Sequence, residues 1–224
     1  MRLLDLFCGR WGWSKAFAAR GWECVGVDLV EPPEIPKGCH FIQWDILKLE
    51  WQRDGFLCTN DGRNKPIADR FDFICASSPC EQFSVHGMKH FHPNPPYPEL
   101  GIKMFEHTRA LCEASGVPYV MENVRAAQQF VGNAVNHCGP FYLWGSGVPI
   151  VMGQGISKAK WRPNEQHGRS GKPGNFAPEL RLSKSVRKPL LATIPPELAN
   201  CVADYAERIL EQRLARPTEA EGKR

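Results

Sequence analysis

The chain has 224 residues, of which 42% are hydrophobic and 23% charged, and its formal net charge is +4. This composition is that of a folded globular protein and excludes a disordered chain, which would have too little apolar surface to form a core. No apolar run reaches the roughly 18 residues of a membrane span, and the first residues lack the pattern of a signal peptide. We therefore expect a cytoplasmic protein without a membrane partner, whose nine cysteines are reduced thiols.

The N-terminal third alternates strand-like and helical patterns. Residues 3–7 and 24–30 are buried-strand runs, and residues 13–20 between them have the apolar spacing of a helix that Gly21 ends. A strand, a helix and a second strand in this order predict a parallel sheet with helices on both faces. We predict a Rossmann-like α/β fold with a mostly parallel, doubly wound sheet.

The rest of the chain extends this pattern. We predict a ligand-binding domain over residues 1–151, a basic irregular insertion at 152–189, a closing helix that packs back on the domain at 190–214, and a disordered tail at 215–224. Residues 54–65 are predicted to form an exposed loop because they are rich in Gly, Asn and Asp. Further elements are predicted as strands at 41–43, 71–76, 119–122 and 141–144 and helices at 101–115 and 196–213.

The positive charge is concentrated in the insertion. Between Met152 and Lys188 there are nine Lys or Arg and two Glu, a local charge of +7. A basic segment on a nearly neutral body is the electrostatic pattern expected of a polyanion binder, although a solvated loop has the same composition. We expect nucleic acid as the partner of this segment.

Polar residues follow the first three predicted strands. The segment DLFCGRWGWS contains Gly9 and Gly12, which allow a tight turn and a close approach to a ligand. Asp28 closes the second strand at the distance from this loop that suits a ribose, and Asp45 follows the third strand. Together they predict a site for an adenosine-type ligand, whereas either acid alone is more typical of a turn or helix cap.

Two further segments carry potential catalytic groups. ASSPCEQFS places Cys80 after a proline at a strand end, which suits a nucleophile, although a buried structural cysteine is the more common finding. VMENV places Glu122 near the end of another strand among apolar residues, where a carboxyl group should have a raised pKa and remain protonated. The metal-like pattern of His86, His90 and His92 lacks a second ligand cluster, so we predict no metal site.

These three segments, in this order, resemble the DLFxGxGG, PCxxFS and ENV motifs of the cytosine-5 DNA methyltransferase family. The resemblance implies a class I methyltransferase fold, S-adenosylmethionine as cofactor and DNA as partner. It implies that Cys80 adds to carbon 6 of cytosine while Glu122 contacts ring nitrogen 3 and the exocyclic amine. The implied cofactor-binding residues are Asp5, Phe7, Gly9, Gly12, Trp13, Asp28, Leu29, Asp45, Ile46, Ser77 and Pro79, and the implied substrate-binding residues are Ser84, Asn123, Arg125, Arg162 and Arg169.

The sequence also departs from the family pattern. Trp11 replaces the second glycine of the loop, so we expect the loop to take a different path or the cofactor pocket to be narrower. Ser77 and Ser78 stand where the family often has Gly or Pro. The insertion is much shorter than the family's target-recognition domain, and this leaves RNA or free-nucleotide methylation, or a non-catalytic nucleic-acid-binding protein, as alternatives.

Overall fold

The structure is a computed structural model that describes residues 1–51, 56–59, 66–83, 98–150 and 193–215. Its strands are β1 Arg2–Leu6, β2 Glu23–Asp28, β3 Cys39–Gln43, β4 Leu49–Trp51, β5 Phe56–Thr59, β6 Pro66–Asp69, β7 Phe73–Ser77, β8 Tyr119–Val124, β9 Asn136–Cys138 and β10 Phe141–Trp144. Its helices are α1 Ser14–Ala18, α2 Pro98–Ala114, α3 Gln128–Val131 and α4 Pro196–Ala215, with 3-10 turns at Ile46–Lys48 and Arg125–Ala127.

Seven strands form the central sheet in the order β3-β2-β1-β7-β8-β10-β9. Strands β3, β2, β1, β7 and β8 are parallel, whereas β10 runs antiparallel to both β8 and β9. The chain builds outward from β1 to β3 and then returns to place β7 on the other side of β1. The gap between the carboxyl ends of β1 and β7 is therefore a topological switch point, where open α/β sheets bind their ligands. The predicted Rossmann-like α/β fold is confirmed.

The two faces of the sheet bury separate clusters of apolar side chains. Alternate strand residues point to opposite faces, so Leu3 and Phe73 belong to the cluster under α1 and α4, whereas Leu4 and Ile74 belong to the cluster under α2. Continuous apolar runs in the strands are thus explained by burial on both sides.

Helix α4 is the helix predicted at residues 196–213, and it packs on α1. Arg20 connects the two through hydrogen bonds to Asn200 Oδ1 (2.5 Å) and Asp204 Oδ1 (2.6 Å). The indole Nε1 of Trp22 donates to Glu207 Oε1 at 3.1 Å. The C-terminal helix therefore completes the same core as the N-terminal βαβ unit.

The predicted exposed loop at residues 54–65 is wrong in part. Strand β5 lies inside this range and forms a three-stranded antiparallel sheet with β4 and β6. Leu57, Cys58 and Thr59 are buried, because this short strand covers part of the apolar cluster on the α2 side.

Two predicted segments lie wholly or almost wholly outside the residues that the structure describes. The basic insertion at 152–189 and all of the predicted tail except Ala215, the last residue of α4, fall outside the described residues. In the part of the chain that is described, none of the helices has the length and apolar character required to cross a membrane.

Candidate active site

The loop after β1 is a sharp turn held against the end of β2. Phe7, Gly9 and Trp11 have left-handed backbone conformations, with φ of 59°, 47° and 63°. The backbone N–H of Gly9 donates to Asp28 Oδ2 at 3.0 Å. Asp28 therefore fixes the loop in addition to facing the cleft, and its Oδ1 accepts from the N–H of Val30 at 3.2 Å.

Trp11 places its ring in the core and not on the surface of the loop. Its backbone adopts the left-handed conformation that glycine normally supplies. Its side chain is 1% exposed and lies against Phe41 and Gly26, where an added Cβ on Gly26 would collide with the indole ring. The indole Nε1 donates to the carbonyl of Glu34 at 3.0 Å. The altered loop path or narrowed cofactor pocket expected from the sequence stays a prediction.

Gly12 has a packing role that its sequence motif does not reveal. A Cβ at this position would lie 2.8 Å from Ile194 Cβ and 2.9 Å from the Ile194 backbone nitrogen. The segment that leads into α4 therefore rests directly on the loop. Gly12 stays a predicted cofactor contact only through its backbone atoms.

The end of β2 and the turn after β3 carry groups that fit an adenosine. Asp28 and Asp45 are both partly exposed, and Asp45 accepts from the N–H of Leu47 at 3.0 Å through Oδ1. Leu29 is 62% exposed beside Asp28. Two accessible carboxylates at one sheet edge can accept hydrogen bonds from ribose hydroxyls and an adenine amine, and the uncovered apolar side chain can pack against an adenine ring.

Three predicted cofactor residues have buried side chains. Asp5 is 0% exposed and its Oδ2 accepts from Ser14 Oγ (2.6 Å) and Ser14 N (3.3 Å), so that it caps α1. Ile46 belongs to the apolar cluster on the α2 side. Trp13 is 2% exposed, and its Nε1 donates to Ser77 Oγ at 2.9 Å. The sequence motif locates these residues correctly at the sheet edge, but their side chains stabilise the loop from inside.

Cys80 and Glu122 lie on neighbouring elements beside the switch point. Cys80 is partly buried in the turn that follows β7, whose last residue Ser77 pairs with Glu122 in β8. Burial raises the pKa of Glu122 to about 8, and a hydrogen bond from Ser77 opposes this shift. The prediction of a raised pKa for Glu122 is confirmed.

The turn that carries Cys80 is anchored by an aromatic contact. The N–H of Phe83 donates to the carbonyl of Cys80 at 3.0 Å. The ring of Phe83 is fully buried and stacks on Phe130 with 5.6 Å between centroids. Gly101 in α2 allows this approach, since a Cβ there would lie 2.9 Å from the Phe83 ring.

Asn123 has a structural role that the sequence reasoning missed. Its Nδ2 donates to both the carbonyl and the hydroxyl of Ser78 at 3.0 Å, and its Oδ1 accepts from the N–H of Val124 at 2.8 Å. The side chain is fully buried. Its polar atoms are thus engaged within the protein, where they tie β8 to the segment before Cys80, and its contact with a substrate stays a prediction.

The other predicted site residues divide into two groups. Phe7 and Pro79 are partly exposed at the sheet edge, and Arg125 is exposed at the start of the 3-10 turn after β8. A second group lies outside the described residues, namely Ser84, Arg162, Arg169 and the histidines at 86, 90 and 92.

Comparison with solved structures finds proteins to which this chain is similar over part of its length. One is the PH0226 protein from Pyrococcus horikoshii OT3, with 25% identity, a TM-score of 0.31, and coverage of 55% of this chain and 49% of that chain. Another is the 1,6-didemethyltoxoflavin-N1-methyltransferase of Burkholderia thailandensis, solved with S-adenosylhomocysteine, with 18% identity, a TM-score of 0.34, and coverage of 64% and 53%. A third is the CcbJ methyltransferase of Streptomyces caelestis, with 17% identity, a TM-score of 0.33, and coverage of 59% and 47%.

The chain spans about half the length of these solved proteins. A search of curated protein sequences found no match. The family model for C-5 cytosine-specific DNA methylases matches residues 1–137, which is more than half of the 224 residues and includes the glycine loop, Cys80 and Glu122. The chain therefore belongs to the C-5 cytosine-specific DNA methylase family.

Proposed function

We propose that the protein methylates carbon 5 of cytosine in DNA through a covalent adduct with Cys80. The observation that carries the proposal is the placement of Cys80 and Glu122 on adjacent elements at the switch point. The hydrogen bonds between Asn123 and Ser78 hold these two elements together immediately before Cys80. A nucleophile and an acid in one rigid arrangement at the ligand-binding edge suit an addition to a heteroaromatic ring.

The chemistry assigns separate tasks to the two side chains. The Cys80 thiolate forms a bond to carbon 6 of cytosine, and the displaced electron pair makes carbon 5 nucleophilic. Protonated Glu122 donates to ring nitrogen 3, which compensates the negative charge that develops there. After carbon 5 has gained the methyl group and lost its proton to water or a base, the returning electron pair breaks the bond to Cys80.

S-adenosylmethionine supplies the methyl group as a sulfonium. We place its adenosine against Asp28, Leu29 and Asp45, because these groups are accessible at the sheet edge and supply two carboxylate acceptors and an apolar surface. The adjacent ends of β1 and β7 would then bring the methyl donor and Cys80 to the same crevice.

DNA is the substrate that the family and the charge distribution favour. The segment from Met152 to Lys188 has a net charge of +7, and phosphate neutralisation by many basic groups gives strong, salt-dependent binding to a polymer. A free nucleotide would gain little from such a segment. Labelled methyl transfer to duplex DNA, single-stranded DNA and RNA, followed by identification of the modified base, distinguishes these substrates.

The covalent mechanism is tested with an oligonucleotide that contains 5-fluorocytosine. Fluorine at carbon 5 cannot leave as a proton does, so we expect an adduct that survives denaturation. Cys80→Ala should abolish both the adduct and methyl transfer. Glu122→Gln should slow methyl transfer by about a hundredfold, because its amide cannot supply the acidic proton.

Cys201→Ala is the matched control, since Cys201 is also partly exposed but lies on α4. It should form the adduct at the wild-type rate. Methylation of cytosine by Cys80→Ala would refute the proposed nucleophile. Modification of RNA alone would refute DNA as the substrate.

A further inference from the structure

A hydrogen bond and a strand pairing connect the buried indole of Trp13 to Glu122. Trp13 Nε1 donates to Ser77 Oγ at 2.9 Å. Ser77 and Glu122 face each other in the parallel pairing of β7 and β8, which makes their side chains neighbours on one face of the sheet, and a hydrogen bond from Ser77 lowers the pKa of Glu122 against the effect of burial. The three residues therefore connect the glycine loop to the acid across the switch point.

The direction of these hydrogen bonds follows from the chemistry of the groups. An indole N–H can only donate, so the Ser77 oxygen must act as its acceptor. A serine oxygen has two acceptor lone pairs and its hydroxyl has one proton, so the bond from Trp13 does not by itself decide where that proton goes. The bond from Ser77 lowers the pKa of Glu122, as a donor to the carboxylate does, so the hydroxyl proton is directed to Glu122. With Ser77 as the donor, the carboxyl oxygen that accepts from it does not carry the acidic proton, because two protons cannot occupy the same hydrogen bond.

We propose that Trp13 and Ser77 are positioning residues for Glu122, which hold its acidic proton on the carboxyl oxygen that Ser77 does not bond and so present it to the pyrimidine. This inference rests on the proposed function. It assigns to Ser77 and Trp13 a role toward the acid, beyond their predicted contacts to the cofactor. The hydroxyl that makes this possible is one of the two serines that stand in place of the family's usual Gly or Pro.

Ser77 is the main polar neighbour of Glu122 among the described residues. On its other side Glu122 pairs with Leu143 of β10, which is fully buried and apolar. Burial and the Ser77 hydrogen bond account for the pKa of Glu122 among the described residues. Within the described part of the chain, titratable groups at the same sheet edge include Asp5 on β1, Asp28 on β2, Asp45 after β3 and Cys80 in the turn after β7.

The test measures the titration of Glu122 directly and independently of catalysis. Infrared difference spectra recorded over a pH series report the protonated carboxyl band, which Glu122→Gln identifies by removing it. Ser77→Ala deletes the donor to the carboxylate, so we expect the midpoint to rise by about one pH unit. Trp13→Phe keeps a ring but removes the donor that holds the Ser77 oxygen, which weakens the bond from Ser77 to the carboxylate without deleting it, so its midpoint should rise by less.

Three further variants separate positioning from general damage. In the Ser77→Ala background, Trp13→Phe should not move the Glu122 titration midpoint further, because the hydroxyl that connects Trp13 to Glu122 is already absent. Ser77→Thr retains the hydroxyl and should titrate like the wild type. Trp22→Phe removes another buried indole donor, the one bonded to Glu207, and should leave the Glu122 midpoint unchanged.

The same variants are then compared in single-turnover methyl transfer to DNA. Loss of a hydrogen bond to the acid should slow Ser77→Ala by about tenfold to a hundredfold, and the alkaline limb of its pH profile should move in step with the infrared midpoint. A merely structural role would lower the rate equally at every pH. If the Glu122 titration midpoint is unchanged in both Ser77→Ala and Trp13→Phe, the proposed positioning role is overturned even if methylation is normal. Shifted midpoints in a protein that does not methylate cytosine would support the positioning role while refuting the proposed function.

Discussion

The first prediction concerns Trp11, a bulky residue at a glycine position of the loop whose ring is buried in the core. Replacing Trp11 with Gly removes strain from a left-handed residue, worth about 1 kcal/mol, but leaves a large cavity. Loss of a buried Trp side chain costs about 3 to 5 kcal/mol. We therefore expect Trp11→Gly to lower the free energy of unfolding by about 2 to 4 kcal/mol, although it restores the family motif.

A double-mutant cycle with Gly26 makes this prediction sharper. Gly26→Ala places a methyl group against the indole of Trp11 and 2.8 Å from Cys8 Sγ, and overpacking of this kind costs about 1 to 3 kcal/mol. In the Trp11→Gly background the indole is absent, so the same methyl group should cost less and the two changes should not be additive. Urea unfolding followed by circular dichroism measures all four proteins. A Trp11→Gly variant as stable as the wild type, or strictly additive costs, would refute the packing argument.

Three other changes test the remaining parts of the site. Gly12→Ala should destabilise the protein by about 1 to 3 kcal/mol in thermal unfolding because its Cβ meets Ile194, and an unchanged melting temperature would contradict this contact. Burial raises the pKa of Asp5 to about 7, so its stabilising contribution is complete below pH 4 and is lost as the pH rises through about 7. The free energy of unfolding should therefore fall between these pH values, and Asp5→Asn should remove up to about 4 kcal/mol of this fall in urea unfolding measured over a pH series. A free energy of unfolding that falls with pH as steeply in the variant as in the wild type would show that Asp5 ionises normally. Asn123→Ala should slow 5-fluorocytosine adduct formation by about tenfold because the turn carrying Cys80 loses its tie to β8, and a wild-type rate would refute that role.

The sheet was the most predictable part of the molecule. Apolar runs mark the two-sided burial of β1, β2, β7 and β8, and the predicted central strands appear in the structure within a few residues. Strand β5 was missed because a run of four residues between polar stretches of sequence is too short to be distinguished from a loop. Its burial depends on residues distant in the sequence, so no local pattern reveals it.

The candidate site was predictable in position but less so in orientation. The motifs correctly placed Cys80, Glu122 and Asp28 at the carboxyl edge of the sheet. They did not show that the side chains of Trp13 and Asn123 turn inward, because family motifs specify residue types and not the direction of side chains. For Asn123, the available signal was the pair of serines before Pro79, because a serine hydroxyl and a nearby amide group readily form a hydrogen bond.

The packing of α4 on the first helix has a consequence for biosynthesis. The chain leaves the ribosome from its N-terminus, and the partners of Arg20 follow it in the sequence by 180 and 184 residues. The apolar side of α1 therefore stays uncovered until α4 has been made. We expect nascent chains that end before Thr193 to associate with chaperones or aggregate, and the glycine loop to reach its final form only after Ile194 has left the ribosome.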